Sequence, residues 1–246
     1  MEVSLYQAAA AMNATERWQD LIAENLASNS LPGARKQEIV FSNIESGVAT
    51  DAAGRVKSSY SIPVANTVVS FQTGELRRSG SPMDFALEGK GFFTVRLPDG
   101  KNGYTRDGEF HLNAQGQLVT KQGYPVMAAG GPVQLNPNGG PFTISASGDI
   151  TQGGEARGKL QVTEFSDPRT LTMNGGFFRA DNPAAQPLPA TATQVRQGFV
   201  EAANSSPTTE MAGLITAMRM FEANEKVLQM QGDRMSRTIT DLAGNT

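Results

Sequence analysis

Apolar residues return every seventh position at both ends of this chain and alternate with polar ones in its middle. Near the start, Leu5, Met12, Gln19 and Leu26 lie seven apart, and Ala8, Thr15, Ile22 and Asn29 each follow three residues later. Near the end, Leu214, Phe221, Leu228, Met235 and Leu242 keep the same interval. A seven-residue apolar spacing draws a narrow seam along one side of a helix, suited to lying along another helix. The first seam predicts a helix from about Ser4, its N-cap, to Asn29, built on the helix-forming run Ala8–Ala11. Pro32-Gly33 stops it, because proline restricts the residue before it and glycine permits a left-handed turn. The second seam predicts a helix from Ser206, its N-cap, with Pro207 in the first turn, to about Leu242. A helix of that length with no core beside it calls for a helical partner. Gly213 and Gly232 interrupt it, each costing about 1 kcal/mol against alanine, and Gly232 would allow close approach of a neighbouring backbone.

Between the two helices the period shortens. From Gln37 to about Thr73, extended pieces such as Ser59–Val64 and Thr67–Phe71 read as an extended linker that packs only in context. From Gly74 to Asn204 strand and turn signals alternate. Phe92–Leu97 runs into Pro98-Asp99-Gly100, and Tyr104-Thr105-Arg106 meets Asp107-Gly108 before Glu109–Leu112, a second hairpin candidate. Gln117–Thr120, Tyr124–Ala128, Phe142–Ser145 and Lys159–Phe165 continue the series, and Asp181–Thr193 reads as a surface loop. Short strands at this spacing indicate an antiparallel all-β domain. The expected fold class is therefore α+β: a discontinuous N- and C-terminal helical coiled-coil domain with an inserted antiparallel all-β domain. The divisions fall at 1–34 for the first helix, 35–73 for the linker, 74–204 for the β domain and 205–246 for the second helix.

Composition narrows the function classes. Hydrophobic residues make up 39% of the 246, so the chain can bury a core, but a thin one for its length. A formal net charge of −3 leaves no global basic field for nucleic acid, and Arg35-Lys36 and Arg77-Arg78 are too short to track phosphates. Cysteine is absent, which removes disulfides, thiol nucleophiles and cysteine metal sites. The N-terminus lacks the pattern of a cleaved secretory signal, and no stretch approaches a membrane span.

Catalysis should leave a constellation of reactive groups, and none is legible. His111 is the one histidine and sits within an alternating strand. Asp84 with Glu88, or Asp107 with Glu109, are the only paired carboxylates worth weighing for acid–base work, and the Asp107-Gly108 turn already accounts for the second pair. Gly89-Lys90-Gly91 lacks the third glycine of a dinucleotide fingerprint, and no metal-ligand spacing occurs. Trp18 lies off the seam as a packing residue. The expectation is a non-enzyme with no cofactor, no nucleic-acid partner and no membrane insertion.

Five segments, in order, carry a more specific signal. The first is Asn25-Leu26-Ala27 with Asn29. The second holds Gly80, Asp84, Phe85, Gly89, Gly91, Phe92 and Phe93, and the third Tyr104-Thr105-Arg106, Gly108 and Phe110. The fourth holds Gly198, Glu201 and Asn204, and the fifth is Arg219–Asn224. Together they resemble the bacterial flagellar basal-body rod and hook family along nearly the whole chain. Within it the chain is most similar to the proximal-rod type, with the distal-rod type close behind, and is shorter than a hook subunit. Local departures stand at Glu24-Asn25-Leu26-Ala27-Ser28, Gly33-Ala34-Arg35 and Ala202-Ala203-Asn204.

The resemblance implies an axial structural protein, exported unfolded through the flagellar export apparatus without a cleaved signal and polymerised into a hollow helical tube in the basal body. Its partners would be copies of itself and neighbouring rod and hook axial proteins, with the surrounding ring proteins as further candidates. The seam reading is compatible: Leu5, Met12, Ile22 and Leu26 would pack against Leu214, Phe221, Leu228, Met235 and Leu242, and a head-to-tail contact that does not close makes an open filament. Two other classes stay open on the residues alone, a β-rich secreted binding module with a helical oligomerisation tail and a wall-remodelling hydrolase using Asp84 and Glu88.

Overall fold

The computed structural model describes residues 2–50 and 56–243. It divides into two compact units, one of Met1–Ala27, Gln37–Val69 and Ser206–Thr246, the other of Ser28–Lys36 and Ser70–Ser205. The fold is α+β, with two long helices at the chain ends and antiparallel strands between them.

The first unit holds helix α1 (Glu2–Ser28), strands β1 (Gln37–Thr50) and β2 (Val56–Val69), and helix α2 (Pro207–Ala243). α2 begins at the proline chosen from sequence, with Glu210 in its first turn, where a carboxylate suits the positive end of the helix dipole. The segment expected as extended arms is extended, and its two arms pair with each other in register from Gln37↔Val69 to Glu45↔Ser61. Pairing across the ribbon satisfies backbone groups that a lone extended linker would leave to water. Trp18 of α1 meets Phe41 of β1 edge-on, with ring centres 5.9 Å apart. No helix among the described residues is long and apolar enough to cross a membrane.

The second unit is built from short strands. Its largest sheet has six antiparallel strands in the order 172–174, 177–179, 102–105, 92–96, 162–165 and 187–189. Phe92–Arg96 and Asn102–Thr105 form the hairpin expected at Pro98-Asp99-Gly100, where Leu97 exchanges backbone bonds with Lys101 and Gly100. The edge strand Pro187–Pro189 falls inside the expected surface loop, at a sheet margin where proline's missing N–H does least harm. Phe85, Leu87, Phe93, Val95, Leu118, Val126 and Ile150 lie at the centre of the core.

One expected hairpin does not form. Phe110–Leu112 pairs with Leu118–Thr120, not with Tyr104–Arg106. The cause is a strand distant in sequence: the Phe85 N–H donates to the Gly108 carbonyl and Asp84 bridges Glu109, so the chain at 107–109 is held there instead.

Candidate assembly site

Three sets of residues stand out as more than ordinary core: the faces of the two helices, an asparagine staple in the first unit, and a buried ionic staple in the second. Along α1, Ala8, Ala14, Thr15, Leu21, Ile22 and Asn25 are buried. Met12 and Leu26 are half-buried at the margin of that face, and the side chain of Leu5 lies outside the described residues. The buried centre of this face is the Ala8–Thr15–Ile22 column, which contains Ile22 of the expected seam. Small Ala and Thr let another element approach, and Ile22 supplies the apolar bulk.

On α2, Leu214, Phe221 and Leu228 are half-buried, Met235 is exposed, and the side chain of Leu242 lies outside the described residues. Interleaved with them at heptad spacing run Glu210, Ala217, Asn224 and Gln231, so the seam is apolar in one column and mostly polar in the other. A Cβ added at Gly213 would sit 3.4 Å from Ile22 Cδ1. Asn25 Nδ2 donates to Glu210 Oε2 at 3.3 Å. Residues 25 and 22 thus meet 210 and 213, which makes the two helices antiparallel. Gly232, singled out from sequence for close approach, has nothing within 4 Å of an added Cβ, and Gly213 is the glycine at the helix contact.

Asn25, only 2% exposed, joins three segments of its unit. Its Oδ1 accepts from the Gln37 N–H at 2.9 Å, and its Nδ2 donates to the Gln37 carbonyl at 2.8 Å as well as to Glu210. The side chain thereby mimics a strand partner for the first residue of β1. Leucine there would take this partner from the Gln37 N–H, the Gln37 carbonyl and the buried Glu210 carboxylate.

In the second unit the equivalent device is Asn204. Its Oδ1 accepts from the Lys36 N–H at 2.6 Å, and its Nδ2 donates to the Ser70 and Gln72 carbonyls at 3.0 and 2.9 Å. Asn29, another motif residue, accepts from the Ser205 hydroxyl. Beside Asn204, Glu201 is fully buried between two arginines. Arg35 Nη1 approaches Glu201 Oε1 at 2.7 Å, Arg106 Nη1 approaches Oε2 at 3.1 Å, and the Gly74 N–H donates to Oε1 at 2.8 Å.

Two guanidinium groups share one carboxylate, and carbonyls carry much of the remainder. Arg106 donates to the Leu87 and Gly89 carbonyls, Arg35 to the Gln72 carbonyl, and Arg106 also lies over the Phe92 ring at 5.1 Å. Burial pulls the Arg106 guanidinium down to about 10, opposed by the Glu201 charge and reinforced by Arg35. It remains charged at neutral pH.

The motif glycines make this crowding possible. A Cβ on Gly108 would fall 1.7 Å from the Phe85 carbonyl oxygen, and one on Gly33 would fall 2.3 Å from the Arg106 carbonyl carbon. Gly33 also takes a positive φ of 68° and donates its N–H to the Glu201 carbonyl. Elsewhere in the motifs, Gly91 N–H donates to Thr193 Oγ1, and Gly198 bonds both Ser79 and Asp84 through its backbone, one residue from Gly80. Phe85, Phe93 and Phe110 stack at 5.2–5.9 Å, while Phe92 belongs to a second aromatic group with Phe165 and Phe178. Tyr104 and Thr105 are buried in the large sheet. Most motif residues of this unit thus serve its interior.

Of the carboxylates weighed for chemistry, Glu88, Asp107 and Glu109 are otherwise engaged. Glu88 pairs with Arg196 on the surface, and Asp107 accepts the Glu109 N–H in a turn. Burial pushes the Asp107 carboxyl up, against the Glu109 N–H and Lys121. Among the described residues no group of three or more His, Asp or Glu side chains is placed to hold a metal. His111 is exposed.

Arg35, Glu210 and Ala217 are structural residues that the sequence reading missed, whereas Gly33 takes the left-handed turn expected of it. Glu210 lies four positions before Leu214 and seven before Ala217, a heptad spacing that was available as its signal. Nothing local marks Arg35, whose partner lies far along the chain.

Known proteins are similar to this chain over its whole length. Residues 86–152 match the family described as flagellar hook protein FlgE/F/G D1 domain, and residues 196–242 match the flagellar basal body rod FlgEFG protein C-terminal family. A flagellar basal-body rod protein FlgF of Rhizobium meliloti is 34% identical over the full length of both chains. The FlgF of Mesorhizobium japonicum is 33% identical, again over the whole of both. A flagellar basal-body rod protein FlgG of Buchnera aphidicola is 27% identical over 97% of this chain and 99% of its own. The chain belongs to the flagellar basal-body rod protein family, and within it to the proximal-rod FlgF type.

Proposed function

We propose that this chain, a structural and non-enzymatic subunit of the basal-body rod, polymerises through its terminal helices with itself and with neighbouring rod and hook axial proteins. The product is a hollow helical tube that transmits torque and encloses the export channel. The observation that carries the reading is on α2, where Met211, Ile215, Met218, Met220 and Met230 are each more than half exposed. Apolar side chains at that density along one helix mark a surface for other molecules. The helix pair α1–α2 covers one face of α2 and leaves these for neighbours, in coiled-coil fashion. The same reading takes the chain out of the cytoplasm through the flagellar export apparatus as an unfolded polypeptide, for which a cysteine-free sequence avoids cross-linking. Surrounding ring proteins are further candidate contacts for the strand-rich unit.

The seam residues supply the test. Phe221→Asp and Leu228→Asp put a charge on the half-buried face of α2. Both variants are expected to keep the thermal transition of the strand-rich unit, to be absent from isolated basal bodies by immunoblot, and to leave cells non-motile. Normal incorporation and motility of either would sink the proposal.

A further inference from the structure

Ten exposed residues of α2 form two further faces with opposite character. At about 100° per residue, Glu210, Leu214, Ala217, Phe221, Asn224 and Leu228 share the covered or half-covered side. A second face carries Met211, Ile215, Met218, Glu222 and Glu225, and a third carries Ala223, Val227, Met230, Arg234 and Arg237. All ten of these side chains are exposed. Each face steps by four, three, four and three residues, which is the spacing of a helix-packing strip. Each also begins with three apolar positions and ends with two charges. The charges are acidic on one face and basic on the other.

Sliding one helix along a parallel copy by 12 residues (223 − 211, and 237 − 225) brings the strips into register. Ile215 then meets Val227, Met218 meets Met230, Glu222 meets Arg234 and Glu225 meets Arg237. We infer that α2 of one subunit docks its acidic–apolar face onto the basic–apolar face of α2 in a second copy of this chain, in parallel and offset by about 18 Å at 1.5 Å per residue. The inference rests on the axial-subunit reading and adds its contact geometry. Charge complementarity selects the occupant: pairing like faces in register would set Glu222 and Glu225 against their own kind, or Arg234 and Arg237 against theirs. Because the two faces differ, the contact is heterologous. Each added copy presents a fresh face, so the contact propagates without closing into a dimer.

Cross-linking reads the register directly, because the chain has no cysteine of its own. Full-length Met218→Cys/Met230→Cys, once shown by immunoblot to be in isolated basal bodies, is treated with a mild oxidant and run on a non-reducing gel. The expected result is a ladder of dimers and higher multimers from the double variant and none from either single variant. Dimers from a single variant would mean that like faces meet. An incorporated double variant without cross-links, or an equal ladder from Ile215→Cys/Met230→Cys, would overturn the 12-residue register.

Charge exchange tests the same contact independently of cysteine. Glu222→Arg/Glu225→Arg should lower incorporation at least tenfold, and adding Arg234→Glu/Arg237→Glu should restore it. Loss that the fourfold variant does not repair counts against the proposal. Absence of the unmodified chain from basal bodies would instead overturn the reading beneath it.

Discussion

Glu201 illustrates how much a single side chain carries in this protein. Its carboxylate contacts both Arg35 and Arg106, and all three groups are buried. Removing one member of such a set leaves uncompensated charge inside the protein. Glu201→Gln should therefore destabilise the strand-rich unit by roughly 3–5 kcal/mol, measured by urea unfolding. Asp107 presents the opposite case. Its carboxyl is raised by burial, so the folded state holds the proton more tightly than the unfolded state does. Its contribution to stability is then greatest at low pH and is lost as pH rises through the unfolded and then the folded value. Asp107→Asn keeps an acceptor for the Glu109 N–H and should stabilise the protein at pH 7, with the difference closing below about pH 4. A constant difference across that range, followed by thermal melts, would contradict the argument.

At the scale of elements, glycines in matching roles on paper have opposite consequences. Gly108→Ala forces a methyl group into the Phe85 carbonyl and should cost about 3 kcal/mol or more, because backbone on both sides must move. Gly232→Ala meets nothing within 4 Å and should stabilise α2 by about 1 kcal/mol, seen as higher helicity by circular dichroism of the free chain. The sequence reads Gly108 as a turn and Gly232 as a site of close approach, yet it is Gly108 that another backbone crowds. Helix ends were more legible, since Ser206-Pro207 is a local signal and α2 starts there. The hairpin β1–β2 was legible only as extended backbone. Its pairing joins positions such as Gln37 and Val69, and no local signal states that two distant extended pieces are partners. The false hairpin at 107–108 has the same origin, a genuine turn signal overruled by a more distant strand.

For the whole molecule, the two units differ in how their apolar residues are used. The strand-rich unit buries Phe85, Phe93, Leu118 and Val126 to 0% exposure, whereas α2 leaves Met211, Met218 and Met230 more than half exposed. Stability should follow burial. In dilute solution the amides of 224–238 should exchange orders of magnitude faster than those of 92–96, read by mass spectrometry of peptides. Equal protection in both would argue against helices that complete their packing in an assembly.

By itself the sequence determined the elements whose causes are local. The heptad spacing specified two terminal helices and Ser206-Pro207 the start of the second, although the expected N-cap Ser4 lies inside α1, which begins at Glu2; the alternation specified strands, and the ordered motifs pointed to the family. Only the tertiary structure decided which polar residues act as staples. Asn25 works through a backbone 12 residues away and a carboxylate 185 away, and Glu201 reaches 95 residues back to Arg106. Such pairings depend on where the folded chain brings distant segments, so they leave no periodic trace. The faces of α2 fall between these limits: their spacing was written in the sequence, but their exposure became visible only once the structure showed which single face α1 covers.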